Sequence, residues 1–151
     1  MNNLQLKSNE PIFPIRTAAK LLNISIPTLR MYEREGLIIP YKSSSNQRLY
    51  SKTDIERIQL IRAMIKGEKI SINGIKAVFS LIPCWEVVNC TESERNKCKT
   101  YSEINTLCWN NKDPNAKCTD SNCRECSVYN DYFSCDKVKR FIKTLSFNEH
   151  K

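Results

Sequence analysis

Hydrophobic positions in the first half of the chain recur at helical spacing and break at residues suited to stopping a helix. Ala18, Ala19, Leu21 and Leu22 give a short apolar face to a first helix, Arg16 to Leu22. Asn23 ends it, because Asn tolerates the left-handed backbone of a tight inter-helix turn, and Ser25 offers an acceptor that caps the next helix. Pro27 fits the first turn of that second helix, where amides have no intrahelical acceptor to lose. The helix continues through Leu29, Arg30, Tyr32 and Glu33 and stops at Gly36, a residue able to take the positive φ of a helix terminus. Two short helices joined by a tight turn make a helix-turn-helix pattern.

Residues 37–50 read as an extended hairpin: Leu37-Ile38-Ile39-Pro40, a polar Ser43-Ser44-Ser45-Asn46 tip, and a return through Gln47, Arg48, Leu49 and Tyr50. This has the shape of a wing. Ser51-Lys52-Thr53-Asp54 matches a capping-box pattern, and Ile55, Ile58, Ile61 or Arg62, and Ile65 follow at helical spacing, predicting a third helix of about four turns. A fourth helix is marked by Ile72, Ile75, Val78 or Phe79, and Ile82, and is ended by Pro83. Beyond it the pattern changes. From Cys84 to Cys135 aliphatic residues are few and no period persists, which predicts loops and short helical turns; Val138, Phe141, Ile142 and Leu145 then mark a terminal helix over 137–147. The fold class expected is mainly α: a flexible tail (1–11), a winged helix-turn-helix domain (12–83), a small cysteine-rich, loop-dominated metal-binding domain (84–135), and a C-terminal helix and tail (136–151).

Charge follows the same division. The chain carries a net +8, and residues 1–83 hold 13 basic against 6 acidic side chains, so nearly all of the surplus lies in the first half. A basic domain beside a neutral one points to a polyanion partner, since Lys and Arg gain by displacing counterions from phosphates. The apolar runs are only a few residues long, and Met1 to Glu10 carry no apolar signal region, so neither membrane nor export is expected and the location expected is cytoplasmic.

The segment Ser25-Ile26-Pro27-Thr28-Leu29-Arg30-Met31-Tyr32-Glu33-Arg34-Glu35-Gly36-Leu37 resembles the recognition segment of the MerR family of transcription regulators. Gln47-Arg48-Leu49-Tyr50-Ser51 resembles that family's wing exit, and Asp54-Ile55-Glu56-Arg57-Ile58 its next helix. Residues 71–78, Ser-Ile-Asn-Gly-Ile-Lys-Ala-Val, are similar to the heat-shock-repressor branch. The resemblance covers about half of the chain. It implies a recognition helix in the major groove of double-stranded DNA and a wing on the flanking backbone or minor groove. The candidate DNA contacts are Arg16, Thr28, Arg30, Tyr32, Arg48 and Tyr50: Arg30, Tyr32 and Arg48 as positioning contacts to phosphates, Tyr50 as a further phenol donor, and Thr28 for sequence readout. Leu29, Leu37 and Leu49 are read as core. The resemblance also implies a homodimer, formed at least on DNA. Relatives dimerise through a long helix after the DNA-binding domain; Cys84 directly follows Pro83, so residues 137–147 are the helix available for that role.

All eight cysteines lie in the second half: Cys84, Cys90, Cys98, Cys108, Cys118, Cys123, Cys126 and Cys135. Only Cys123 and Cys126 form a close C-x-x-C pair, the spacing at which two thiolates converge on one metal from a single turn. Disulfides are disfavoured by the reducing compartment that a DNA-binding domain implies. Inert burial is a common fate for isolated cysteines, but it explains eight crowded into one segment poorly. A cysteine-ligated metal or iron-sulfur centre, sensing redox or metal status, is therefore expected, with zinc and [4Fe-4S] both open; two four-cysteine sites would use all eight, and one cluster would leave some over. Trp85 and Trp109 each follow a cysteine and either shield a site from water or form a small aromatic core. His150, one residue from the end, is a poor ligand. The segment also resembles a small bacterial cysteine module called the two-CW domain, through Cys84-Trp85-Glu86, Cys90, Cys98, Cys108-Trp109, Cys118 and Cys123-x-x-Cys126-Ser127-Val128-Tyr129; Cys135 lies beyond that pattern. No catalytic residues are expected: redox chemistry by Cys123 and Cys126 lacks a surrounding βαβ pattern. The alternative reading is an adaptor whose helix-turn-helix contacts protein, with a purely structural zinc site.

Overall fold

Helix boundaries in the first half fall where side chains can satisfy the orphan amides of a helix start or allow a left-handed exit. In a computed structural model, which describes residues 8–110, 112–119 and 122–148, α1 spans Ile15–Leu22 and ends at Asn23, whose φ is 51°. The Ser25 hydroxyl oxygen accepts the Thr28 amide at 3.2 Å and so caps α2, Ile26–Arg34, with Pro27 in its first turn. Gly36 has φ 75°, the terminus expected of it. Ser51 and Asp54 cap α3, Lys52–Lys66, reciprocally: the Asp54 amide donates to Ser51 Oγ at 3.1 Å while the Asp54 carboxylate accepts the Ser51 amide at 2.8 Å. The fourth helix, α4, covers Ile72–Ser80 and is capped by Ser71, which accepts the Gly74 amide at 3.0 Å.

The wing is a strand pair, β2 (Tyr41–Lys42) and β3 (Arg48–Tyr50), antiparallel with Lys42 opposite Arg48. A short strand that the sequence reading lacked, β1 (Phe13–Pro14), lies on the other side of β3 with Phe13 opposite Tyr50, giving the order β1-β3-β2. After α4 the chain forms the short helices α5 (Cys84–Val87), α6 (Glu92–Lys97) and α7 (Lys99–Ser102), a 3-10 turn at Cys123–Glu125, α8 (Ser127–Asp131), and a terminal helix α9 (Cys135–Asn148). The mainly helical class and the short turns of the cysteine-rich segment are as expected. Residues 1–7 of the predicted tail, and His150, lie outside the described residues.

Packing divides the chain into two compact units, Met1–Ala63 and Met64–Lys151. In the first, Ala18, Leu29, Leu37, Ile58 and Ile61 are fully buried. Buried Arg57 donates through Nε to the Leu37 carbonyl at 2.7 Å, and Arg62 donates to the carbonyl of Leu22 at the end of α1. In the second, α4 packs against α9, and Phe79 of α4 meets Trp109 with ring centroids 6.1 Å apart. Trp109 in turn stands edge-on to Tyr129 at 5.4 Å. No helix among the described residues is long and apolar enough to cross a membrane.

Candidate nucleic-acid interface and thiol cavity

Arg30, Glu33 and Arg34 occupy positions i, i+3 and i+4 of α2 and therefore share one face. Together with Arg48 of β3 they line one shallow concave surface. Arg48 Nε donates to the Glu33 carboxylate at 2.6 Å, so the wing strand is tied to the recognition helix by a charge-assisted bond. That bond also raises the Arg48 pKa above its ordinary value, keeping the guanidinium charged. Three guanidiniums against one carboxylate leave the surface net positive. Arg30 and Arg34 are exposed, as is Arg16 at the start of α1. Thr28 is half-buried in the first turn of α2, its hydroxyl 2.8 Å from Ser25 Oγ, where it takes part in the cap.

The two tyrosines differ from expectation. Tyr50 is fully buried and its hydroxyl has no hydrogen-bond partner, so it cannot act as a phosphate donor; β1 on one side and the helical core on the other enclose it. Burial raises its pKa far above the usual phenol range. Tyr32 lies on the inward face of α2, 5% exposed, and burial raises its pKa too. Its ring belongs to the core. The residues that the structure adds to the candidate surface beside Arg30 and Arg48 are Arg34 and Glu33. The signal was available: Arg34 lies one turn beyond Arg30, and Glu33 is the acidic neighbour between them.

In the second unit, cysteines that are scattered in sequence gather around one cavity of about 50 Å³. Its lining includes Cys84, Cys90, Cys98, Cys108, Cys118, Cys123 and Cys126, with Trp109 and Tyr129 as the aromatic wall. The segments that carry them are positioned by local chemistry. Thr91 and Glu94 form a reciprocal capping box at the start of α6, the helix that delivers Cys98 at its end. Asp113 is buried and its carboxylate accepts the Lys99 amide at 2.5 Å and the Asn115 amide at 2.9 Å, which lowers its pKa and pins the loop before Cys118. The Asn122 side chain accepts the Arg124 amide at 3.1 Å and so starts the turn bearing Cys123 and Cys126. Lys112 and Lys117 also line the cavity, a feature that the sequence reading did not pick out.

All eight cysteines are free thiols and none is fully buried. Desolvation is the main influence on those whose acidity shifts, pushing Cys84 up to about 11 and raising Cys108, Cys118 and Cys90 in the same direction; neighbouring thiols add to it at Cys84 and Cys108. Such thiols hold their protons at neutral pH until a metal competes for the sulfur. The donor chemistry fits a thiophilic metal or an iron-sulfur cluster. Among the described residues, however, no three Cys, His, Asp or Glu side chains converge tightly enough to hold one ion as they stand. Cys135 is placed elsewhere: it opens α9, with its sulfur 3.6 Å from that of Met64, and it does not line the cavity. Of the two arrangements left open, two four-cysteine sites or one centre with cysteines left over, the cavity gathers seven of the eight thiols and leaves Cys135 apart. Trp109 walls the cavity, whereas Trp85 packs edge-on against Tyr101 at 5.0 Å.

Comparison with known proteins bears on the first of these two sites. A family model described as MerR HTH family regulatory protein matches residues 13–81. The chain is similar to the putative heat shock protein HspR of Streptomyces coelicolor, 34% identical over 80 residues, which cover 53% of this chain and 53% of that protein. It is also similar to the HTH-type transcriptional regulator GlnR of Bacillus anthracis and of Bacillus cereus, 29% identical over 72 residues, 48% of this chain and 55% of each relative. The chain thus spans about half the length of the curated relatives it matches. Residues 13–81, which contain α1, the capped turn, α2 and the wing, form a helix-turn-helix domain of the MerR family.

Proposed function

We propose that this protein is a transcription regulator that binds double-stranded DNA through α2 and the β2–β3 wing, and whose second unit holds a thiolate-ligated metal or iron-sulfur centre. The observation that carries the first part is the net-positive surface of Arg30, Arg34 and Arg48, with Arg48 fixed by Glu33 at 2.6 Å, on a MerR-family helix-turn-helix. Guanidiniums arranged on one face of a recognition helix and the adjoining wing suit phosphates on both sides of a groove. The regulator acts as a homodimer on an inverted repeat, in the cytoplasm with the DNA it reads, and does no catalysis of its own. Seven thiols around one cavity support the second part, and the centre reports redox or metal status to the DNA-binding domain.

The test is binding to duplex DNA over a range of salt concentrations, with light scattering on the complex. Affinity is expected to fall steeply with salt, by about 0.9 in log–log slope for each phosphate neutralised. Absence of salt-dependent DNA binding overturns the regulator reading in favour of a protein-binding adaptor, and a single copy on operator DNA overturns the dimer.

A further inference from the structure

We infer that the seven cavity cysteines serve one polynuclear centre, of two or more metal atoms bridged by thiolate or sulfide, in place of a single tetrahedral ion. The inference rests on the metal-centre reading above and sharpens it. The first argument is number. A structural zinc ion takes four thiolates, yet seven cysteines line the same cavity, leaving three with no metal to bind.

The second argument is that nothing separates four ligands from three bystanders. Cys108 lies within electrostatic reach of Cys84, Cys118, Cys123 and Cys126; Cys118 of Cys123, Cys126 and Cys98; and Cys84 of Cys98, Cys118 and Cys90. Through these neighbours all seven cavity sulfurs are linked. The third argument is space: the cavity that the seven cysteines surround encloses about 50 Å³. Thiols that ring a space suit a centre that is itself extended.

The test is anaerobic purification of the full chain with metal content and acid-labile sulfide measured per chain, beside the variants C108S and C135S. Two or more metal atoms per chain are expected; iron with sulfide identifies a sulfide-bridged cluster, and zinc without sulfide a thiolate-bridged one. C135S is expected to retain the full content, and C108S, whose sulfur neighbours those of Cys84, Cys118, Cys123 and Cys126, to lose at least two atoms together. One metal atom per wild-type chain, with the remaining thiols reactive toward a thiol reagent, overturns this inference and leaves the metal-centre reading standing. No metal at all, with the thiols free or in disulfides, overturns both.

Discussion

The two units close their cores with different materials. In Met1–Ala63 the buried positions are filled mostly by aliphatic side chains such as Leu29, Leu37, Ile38, Ile58 and Ile61, set on helices long enough to present a face. In Met64–Lys151 the stretch between Cys84 and Cys135 buries chiefly Leu107, Trp109, Val128, Tyr129 and Phe133, and arranges half-exposed thiols around a cavity. An apolar core is complete when its side chains meet. A ring of thiols is complete when something binds them. The contrast teaches that apolar packing accounts for the core of the first unit, while on the proposed metal-centre reading the stability of the second is shared with a ligand.

The largest expected effect comes from breaking that second arrangement. Stripping the proposed centre with a strong chelator should unfold much of the cysteine-rich segment, since structural zinc contributes on the order of 10 kcal/mol in small metal domains. Both tryptophans, Trp85 and Trp109, lie in that unit, so their fluorescence reports on it directly. A red shift and loss of a cooperative fluorescence transition are expected; an unchanged melt would mean that the second unit also holds itself together by apolar contacts. The next effect tests the first unit. Leu29→Ala should cost about 2–5 kcal/mol of stability by leaving a cavity at a fully buried position, read by chemical denaturation followed by circular dichroism. A loss below about 1 kcal/mol would show that this core is looser than its burial implies.

Smaller effects follow at the surface. Arg30→Ala should weaken duplex binding by about tenfold and reduce the salt slope by about 0.9, while leaving the melting curve in place. An unchanged slope would remove Arg30 from the phosphate contacts. The smallest effect is expected at Tyr50→Phe. Because its hydroxyl is buried with no partner, removal should change stability by less than about 1 kcal/mol, in either direction, and leave DNA affinity as it was. A drop in affinity would restore this phenol to the interface.

Much of the first unit was legible in sequence because its signals are local. Asn23, Ser25, Gly36 and the Ser51–Asp54 box each act within a few residues, and each does in the structure what its chemistry predicts. β1 was not legible: Phe13–Pro14 is two residues long, and its partner Tyr50 is remote in the chain. The burial of the tyrosines was not legible because a motif gives spacing without giving direction. Tyr32 and Tyr50 sit near the arginines of the candidate surface in sequence, yet helix phase turns the first inward and pairing of β3 on both edges encloses the second. Arg34 was legible in principle from its one-turn spacing to Arg30. The terminal helix was placed correctly by its apolar period, though it starts two residues earlier, at Cys135.

By itself the sequence determined the helix-turn-helix with its caps and breaks, the basic character of the first half, and the confinement of every cysteine to the second. Those properties are additive along the chain or reach only one turn, so they survive without knowledge of the fold. Only the tertiary structure decided that Arg48 is held by Glu33, that Tyr50 is sealed off, and that seven cysteines share a cavity which Cys135 does not reach. Each of these depends on which distant segments meet, and that is set by packing: β3 must lie between its two neighbours, and the short turns after α4 must close around Trp109, before any of these side chains acquires its surroundings.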